Sequence, residues 1–165
     1  MRLKNIGKDG KVKIMKLNKI RNEILSESKT LVIKLGWNDE TFNKIIKNSK
    51  YDPDIVSSLF PEGYISLMQL YLDEINNKMT DELEKLNLIR LKIHERIKEL
   101  CILRFTIMTK EKNLICKTFF HLLLPHNYNF CLKNLYKTID QIWFLAGDNS
   151  IDFNFYSKRA ILASI

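Results

Sequence analysis

Residues 146–160, AGDNSIDFNFYSKRA, have the composition of a fixed corner between two helices. Gly147 can adopt a positive φ and end a helix, and the Asp-Asn-Ser run that follows it favours a turn. Asp152 can cap the next helix with its carboxylate. The sequence therefore predicts one helix that ends before Gly147 and another that begins near Asp152 and is still running at Ile165.

Outward from this corner, apolar residues recur every three or four positions, which is the period of amphipathic helices. The stripe next to the corner is wide, so we expect that its helix, which begins near Asn129, lies centrally. Shorter helices are predicted at about 17–35, 39–49 and 54–60, and a short apolar stretch at 119–124 is closed by Pro125. No strand alternation of useful length is present, so the predicted fold class is all-α. The three long stripes are Met68, Leu72, Ile75, Met79, Leu83 and Leu86; Leu86, Ile89, Ile93, Ile97, Leu100 and Arg104; and Leu132, Leu135, Ile139, Ile142 and Ala146.

The length of 165 residues suits one domain with a real core. The net charge of +8 is concentrated in residues 1–34, which carry ten Lys or Arg and three acids, whereas the rest carries seventeen and sixteen. We predict a disordered basic extension at 1–16, with Met15 as an alternative start, and a single all-α domain at 17–165. Solubilisation is favoured over nucleic acid or anionic lipid as the role of the basic segment. No apolar run is long enough to span a membrane.

The histidines and cysteines form no known catalytic or metal-binding signature. Cys116, His121 and His126 are spaced by five residues, and five residues turn a helix by about 140° beyond full rotations, so the three side chains would not converge on one ion. His94 borders an apolar stripe, and no glycine-rich phosphate loop or G-x-S-x-G motif is present. We therefore predict a protein that is not an enzyme and that uses no metal or other cofactor. The three cysteines are expected to be buried free thiols.

Several motifs resemble the ubiquinone (coenzyme Q) biosynthesis protein nine family. That family's corner reads approximately AGDxSTDFNWYTKRA after D-x-I/M-W; here Phe155, Ile151 and Ser157 replace its Trp, Thr and Thr. The resemblance implies a TetR-repressor-like fold, with a head at about 17–62 and a body at about 63–165. It also implies an accessory protein that binds isoprenoid quinone intermediates or phospholipid and presents them to the di-iron demethoxyubiquinone hydroxylase. Further matching segments are Asp140, Ile142 and Trp143; Gly36-Trp37; Leu59-Phe60-Pro61-x-Gly63; Lys92-Ile93-x-Glu95-Arg96-Ile97; and Leu124-Pro125-x-Asn127.

The resemblance also implies roles for individual residues. It makes Ile142, Asp152, Phe155 and Tyr156 the partner-binding patch and puts Arg159 near lipid. An arginine can hold a phosphate bidentately, but the same residues can equally pack the corner, with Arg159 bound to a carboxylate. The remaining lipid-pocket candidates are apolar positions on the long helices, although such stripes also suit a plain core: Met68, Leu72, Ile93, Ile97, Leu135 and Trp143.

A TetR-like head raises the question of DNA binding. The helix that would read the major groove, within YDPDIVSSLF at 51–60, carries Asp52 and Asp54 and no Lys or Arg. Because phosphate neutralisation supplies most of the affinity for DNA, we predict that this chain does not bind DNA. A TetR-type ligand-sensing transcriptional regulator is the alternative function.

The family pattern extends past the position that matches Ile165, into another body helix and an amphipathic C-terminal helix that touches membranes. We therefore expect this chain to be truncated at its C-terminus relative to the family. The resemblance implies a homodimer for the full-length family, and peripheral contact with a membrane. It implies a location in the bacterial cytoplasm beside the inner membrane, with the matrix side of the mitochondrial inner membrane as the alternative.

Overall fold

A computed structural model describes residues 8–83, 88, 90–148 and 153–164, with side chains described at 15–83, 88, 90–148 and 156–164. Every regular element within these residues is helical, which confirms the predicted all-α class. The TetR-like arrangement stays a prediction. The elements are α1 (Lys8–Leu35), α2 (Asp39–Asn48), α3 (Pro53–Leu59), α4 (Tyr64–Glu82), α5 (Ile93–Thr109), α6 (Lys112–Leu122), one turn of 3₁₀ helix (Pro125–Asn127), α7 (Tyr128–Leu145) and α8 (Phe153–Ala163).

The chain divides into two compact units, and the boundary falls after Leu70, inside α4. In the first unit, Asn38 caps α2, because its side-chain oxygen accepts the backbone N–H of Thr41 at 2.8 Å. Asp52 caps α3 in the same way, and Pro53 occupies the first position of that helix, where its missing N–H is not needed. These caps explain why both short helices lie within a residue or so of their predicted bounds. The proposed split into a head and a body stays a prediction.

α1 begins earlier than the sequence predicts. The expected disordered extension at 1–16 is helical from Lys8 onward, so that prediction is wrong for residues 8–16. This segment has no apolar stripe, but lysine and methionine have high helix propensity, and extending an existing helix avoids the cost of a new nucleus. Residues 1–7 lie outside the described part of the chain.

In the second unit, a polar network joins α4, α5 and α7. The Arg104 guanidinium donates to Asn76 Oδ1 at 2.5 Å and to Thr138 Oγ1 at 3.1 Å. Burial lowers the pKa of Arg104 to about 10, because desolvation disfavours its charge. The apolar core around the network comprises Leu72, Ile75, Met79, Leu100, Ile107, Leu114, Leu122, Ile139, Ile142 and Trp143.

α7 is less central than its wide apolar face predicts. Ile139 and Ile142 are buried in its second half, but Leu132, Leu135 and Tyr136 in its first half are exposed. The periodicity shows which residues share a face, and only the packing of neighbouring helices shows whether that face is covered. None of the described helices is long and apolar enough to cross a membrane.

Candidate functional site

The predicted corner begins with a capped end of α7. Gly147 has a φ of +85°, and its N–H donates to the carbonyl of Phe144 at 3.0 Å. The N–H of Asp148 donates to the carbonyl of Trp143 at 3.1 Å, which completes a Schellman motif. The predicted helix end at Gly147 is confirmed, whereas the predicted cap at Asp152 lies outside the described residues.

An ion-pair network joins α8 to the end of α7. Asp148 has only 3% of its side chain exposed; its carboxylate lies 2.8 Å from Lys158 Nζ and 3.8 Å from Arg159 Nη1. Arg159 also reaches Asp140 Oδ1, at 2.9 Å from Nε and 2.8 Å from Nη2. Lys158 further lies over the ring of Trp143, 5.5 Å from its centroid. The two carboxylates and two cations of this network therefore stabilise the packing of α8 on the end of α7, and their charges sum to zero.

A groove with a volume of about 340 Å³ lies between α7 and α8. Its wall is mostly apolar, and the buried Arg159 lies beside it. Ligand pockets have volumes of about 300–1,000 Å³ and are lined mainly by apolar groups with a few polar ones, so this groove suits a small apolar ligand or part of a longer one. The lining residues are Leu132, Leu135, Tyr136, Ile139, Tyr156, Arg159, Ala160 and Ala163.

Two of the predicted lipid-binding residues, Leu135 and Arg159, line this groove. The other five candidates do not line it: Met68 is buried in the first unit, and Leu72, Ile93, Ile97 and Trp143 belong to the second, where Leu72 and Trp143 are buried and Ile93 is exposed. Arg159 binds carboxylates, which is the alternative to lipid contact that the sequence predicts for it. The assignment of all seven residues to a lipid stays a prediction.

The alanines of the groove were not among the predicted site residues. Tyr156, Ala160 and Ala163 follow one another at intervals of four and three residues, so they lie on one face of α8. Two small side chains on that face leave space against the apolar side chains of α7. This spacing is visible in the sequence, but it indicates a groove only when α8 is known to pack on α7.

The predicted partner-binding residues do not all reach the surface. Tyr156 is 67% exposed at the groove, whereas Ile142 is 4% exposed and belongs to the core below the corner. Asp152 and the side chain of Phe155 lie outside the described residues. Tyr156 is thus the described member of the patch that a partner could contact directly.

Titratable groups elsewhere in the described part of the second unit form no metal-binding cluster. The described residues contain no group of three or more His, Cys, Asp or Glu placed to hold a metal ion. The rings of His121 and His126 pack edge to face, with 6.3 Å between their centroids. Burial is the main cause that lowers the pKa of His121, and the neighbouring His126 lowers it further. The expectation of three buried thiols is wrong for Cys116, which is exposed, and Cys101 and Cys131 are half-buried.

Comparisons with known proteins match this region and most of the rest of the chain. The family model described as COQ9 matches residues 128–165. Proteins called "Ubiquinone biosynthesis protein COQ9, mitochondrial" from Bos taurus and Homo sapiens are each 29% identical over 153 residues, which cover 88% of this chain and 48% of the relative. The Drosophila melanogaster protein of the same name is 25% identical over 163 residues, 96% of this chain and 50% of its own. The chain spans about half the length of the curated relatives it matches, and the predicted resemblance is confirmed.

Proposed function

Since this chain resembles the ubiquinone biosynthesis protein nine family, we propose that it acts in ubiquinone biosynthesis as a lipid-binding accessory protein. It binds an isoprenoid quinone intermediate in the groove and presents it to the di-iron demethoxyubiquinone hydroxylase, without catalysing a reaction itself. The relatives are named as mitochondrial proteins, which favours the matrix side of the inner membrane over a bacterial cytoplasm.

The observation that carries this proposal is the position of the groove. All eight residues that line it fall within 128–165, the part of the chain that the family model matches. The part of the chain that resembles the family therefore contains the whole groove, which supports a lipid site at this place. An isoprenoid tail would lie against Leu132, Leu135 and Ile139 and bury apolar surface at about 25 cal/mol per Å².

The charges at the groove favour a neutral ligand. Arg159 would attract a phosphate if its charge were uncompensated, but Asp140 and Asp148 lie within 2.8 and 3.8 Å of its nitrogens. An anionic headgroup would therefore meet two carboxylates as well as two cations. Of the two lipid classes, the uncharged isoprenoid quinone fits better than a phospholipid.

Extraction of copurified lipid tests the groove. Ala160→Trp fills it with a large side chain, whereas Ile161→Trp adds a similar ring to a neighbouring exposed position that does not line it. We expect mass spectrometry to find quinone lipid in the wild type and in Ile161→Trp and to find it depleted at least tenfold in Ala160→Trp. Well-folded wild-type protein without quinone, or equal loss in both variants, would contradict lipid binding in this groove.

The partner surface is tested through Tyr156. An exposed aromatic ring beside an apolar groove is typical of residues that dominate protein interfaces. We expect Tyr156→Ala to weaken capture of the purified hydroxylase at least tenfold, because truncation of such a ring removes about 2 kcal/mol or more. Tyr128→Ala, an equally exposed tyrosine at the other end of α7, is the control. Equal capture by the two variants would exclude Tyr156 as a contact.

No described feature favours the alternative of a transcriptional regulator. α3, the helix that would read DNA, contains Asp54 and no basic residue, and Asp52 caps its start. A carboxylate at each of these positions would face the phosphates of a bound duplex. A defined complex in a low-salt gel shift that resists competitor DNA would restore the regulator; none is expected. Dimerisation also stays a prediction.

A further inference from the structure

The groove between α7 and α8 is small compared with a quinone that carries a long isoprenoid tail. Its volume of about 340 Å³ is roughly twice that of a cavity of about 150 Å³ that holds one benzene molecule. Its lining runs over seven residues of each helix, which corresponds to about 10 Å. The groove therefore has room for one substituted ring and the first part of its tail, and the rest of the tail extends beyond it.

Three of the residues that line this groove carry side-chain hydrogen-bond donors: Tyr136, Tyr156 and Arg159. Each nitrogen of Arg159 faces a carboxylate, because Asp140 lies 2.9 Å from Nε and 2.8 Å from Nη2, and Asp148 lies 3.8 Å from Nη1. Tyr156 also makes a contact within the protein. Arg159 and Tyr156 therefore already serve contacts of the chain itself.

The remaining donor, Tyr136, makes no hydrogen bond within the described part of the chain. It follows Leu132 by four residues and precedes Ile139 by three, so it shares one face of α7 with two residues of the apolar wall. Half of Tyr136 is exposed. Because tyrosine combines an apolar ring with a polar tip, Tyr136 can both extend the wall and donate a hydrogen bond to a ligand.

We propose that Tyr136 sets the lipid preference of the groove by donating its hydroxyl hydrogen to a carbonyl oxygen on the ring of the bound molecule. A quinone carries such oxygens on the ring itself, which is the part of the molecule that the groove has room for. A few polar groups in an apolar pocket fix the orientation of a ligand and provide specificity. This role rests on the proposed quinone binding and adds to it the residue that distinguishes a quinone from a hydrocarbon of similar shape.

A phospholipid also carries carbonyl oxygens, in its ester groups. In a groove about 10 Å long, an ester bound to Tyr136 brings the phosphate near the carboxylates of Asp140 and Asp148, which repel it. The carbonyl of a quinone accepts the same hydrogen bond without a charge. Tyr136 therefore favours the quinone of these two carbonyl-containing lipids.

Titration calorimetry of the whole chain with two small probes tests this role. One probe is ubiquinone with a single isoprene unit, and the other is prenylbenzene, which has a six-membered ring and the same isoprene unit but no oxygen. Tyr136→Phe removes only the hydroxyl, so we expect the Kd of the quinone to rise about 3- to 10-fold, which corresponds to one neutral hydrogen bond. The Kd of prenylbenzene should change by less than about twofold, because the apolar ring of residue 136 is kept. Since Tyr136 is exposed, circular dichroism and the unfolding midpoint should match the wild type.

Tyr128→Phe is the matched control, because it removes the hydroxyl of another exposed tyrosine of α7 that does not line the groove. Both of its Kd values should equal those of the wild type. Ala160→Trp fills the groove and should lose both probes, so failure of the groove is distinguishable from failure of Tyr136.

An unchanged Kd of the quinone in Tyr136→Phe, or equal weakening of both probes, would overturn the role of Tyr136 and leave the groove as a lipid site. Tighter binding of dihexanoylphosphatidylcholine than of the quinone, with a loss in Tyr136→Phe, would assign the hydroxyl to an ester and would also overturn the proposal. A wild type that binds neither the quinone nor prenylbenzene would contradict the proposed function together with this role.

Discussion

Charged side chains form ion pairs at the end of α7, whereas a lysine in its first half has no such partner among the described residues. At the corner, Asp140, Asp148, Lys158 and Arg159 form one network with contacts as short as 2.8 Å. At the start of the helix, Lys133 has no acidic partner within the described residues. The same unit thus uses paired charges to hold two helices together and leaves unpaired charges at an apolar surface. Charge that is already paired contributes to structure, whereas unpaired charge remains available to a partner.

The largest effect on stability is expected when a buried residue of the corner network is replaced. Asp148→Asn leaves Arg159 and Lys158 without their shared carboxylate in a place that solvent hardly reaches. We expect the free energy of unfolding to fall by about 2–3 kcal/mol, because Lys158 loses its partner and Arg159 keeps only Asp140. Denaturant titration followed by circular dichroism measures the loss.

Asp140→Asn is the matched control for this experiment. Asp140 also binds Arg159, but 48% of its side chain is exposed, so water screens the pair. We expect its loss to lower the free energy of unfolding by about 1 kcal/mol or less. Equal effects of the two substitutions would show that burial does not set the strength of the network.

A smaller effect is expected when the turn beneath the network is altered. Gly147→Ala would force a Cβ into a left-handed conformation and 3.2 Å from Arg96 Nη1, which itself donates to the carbonyl of Ala146. We expect a loss of about 1–2 kcal/mol in the free energy of unfolding. Gly36→Ala has a similar φ of +81° and nothing within 4 Å of its added Cβ. A loss as large in Gly36→Ala would mean that the contact with Arg96 adds nothing.

A pH-dependent effect on stability is expected at His121, which lies near the end of α6. Burial and then His126 lower the pKa of His121 below its ordinary 6.5, so the unfolded chain binds this proton more readily than the folded one. Its contribution to stability is therefore full above about pH 6.5 and is lost as the pH falls through the folded pKa. Unfolding midpoints measured from about pH 7.5 to about pH 5 should fall less steeply in His121→Gln than in the wild type. Parallel slopes would exclude this histidine as a source of acid sensitivity.

The smallest effect on stability is expected from two exposed lysines, Lys117 on α6 and Lys133 on α7. Lys117→Ala and Lys133→Ala remove exposed charges that pair with no described residue, so each should change the free energy of unfolding by less than about 0.5 kcal/mol. Chemical denaturation of both variants measures this. A loss near that of Asp148→Asn would show that these lysines serve the fold and would remove the contrast between the two ends of α7.

Much of the local structure could be predicted from short stretches of sequence. Gly147 ends α7 because only a residue without a Cβ adopts its φ cheaply, and α2 and α3 follow caps at Asn38 and Asp52. The start of α1 at Lys8 was missed, because a segment of good helix formers without an apolar stripe gives no periodic signal to mark it. Leu135 and Arg159, which the sequence analysis assigns to lipid, and Tyr156, which it assigns to a partner, line one groove that no local pattern predicted; their roles stay predictions.

The sequence by itself determined the all-α class, the corner and the resemblance to a family, because caps, turns and periodicity depend on residues within a few positions of one another. Only the tertiary structure decided which apolar faces are covered: Leu135 and Ile139 are one turn apart on α7, yet the first is exposed and the second buried. It also decided the partners of Arg159, since Asp140 lies 19 residues away along the chain. Contacts at that distance depend on how α8 packs against α7, and no local pattern records that packing.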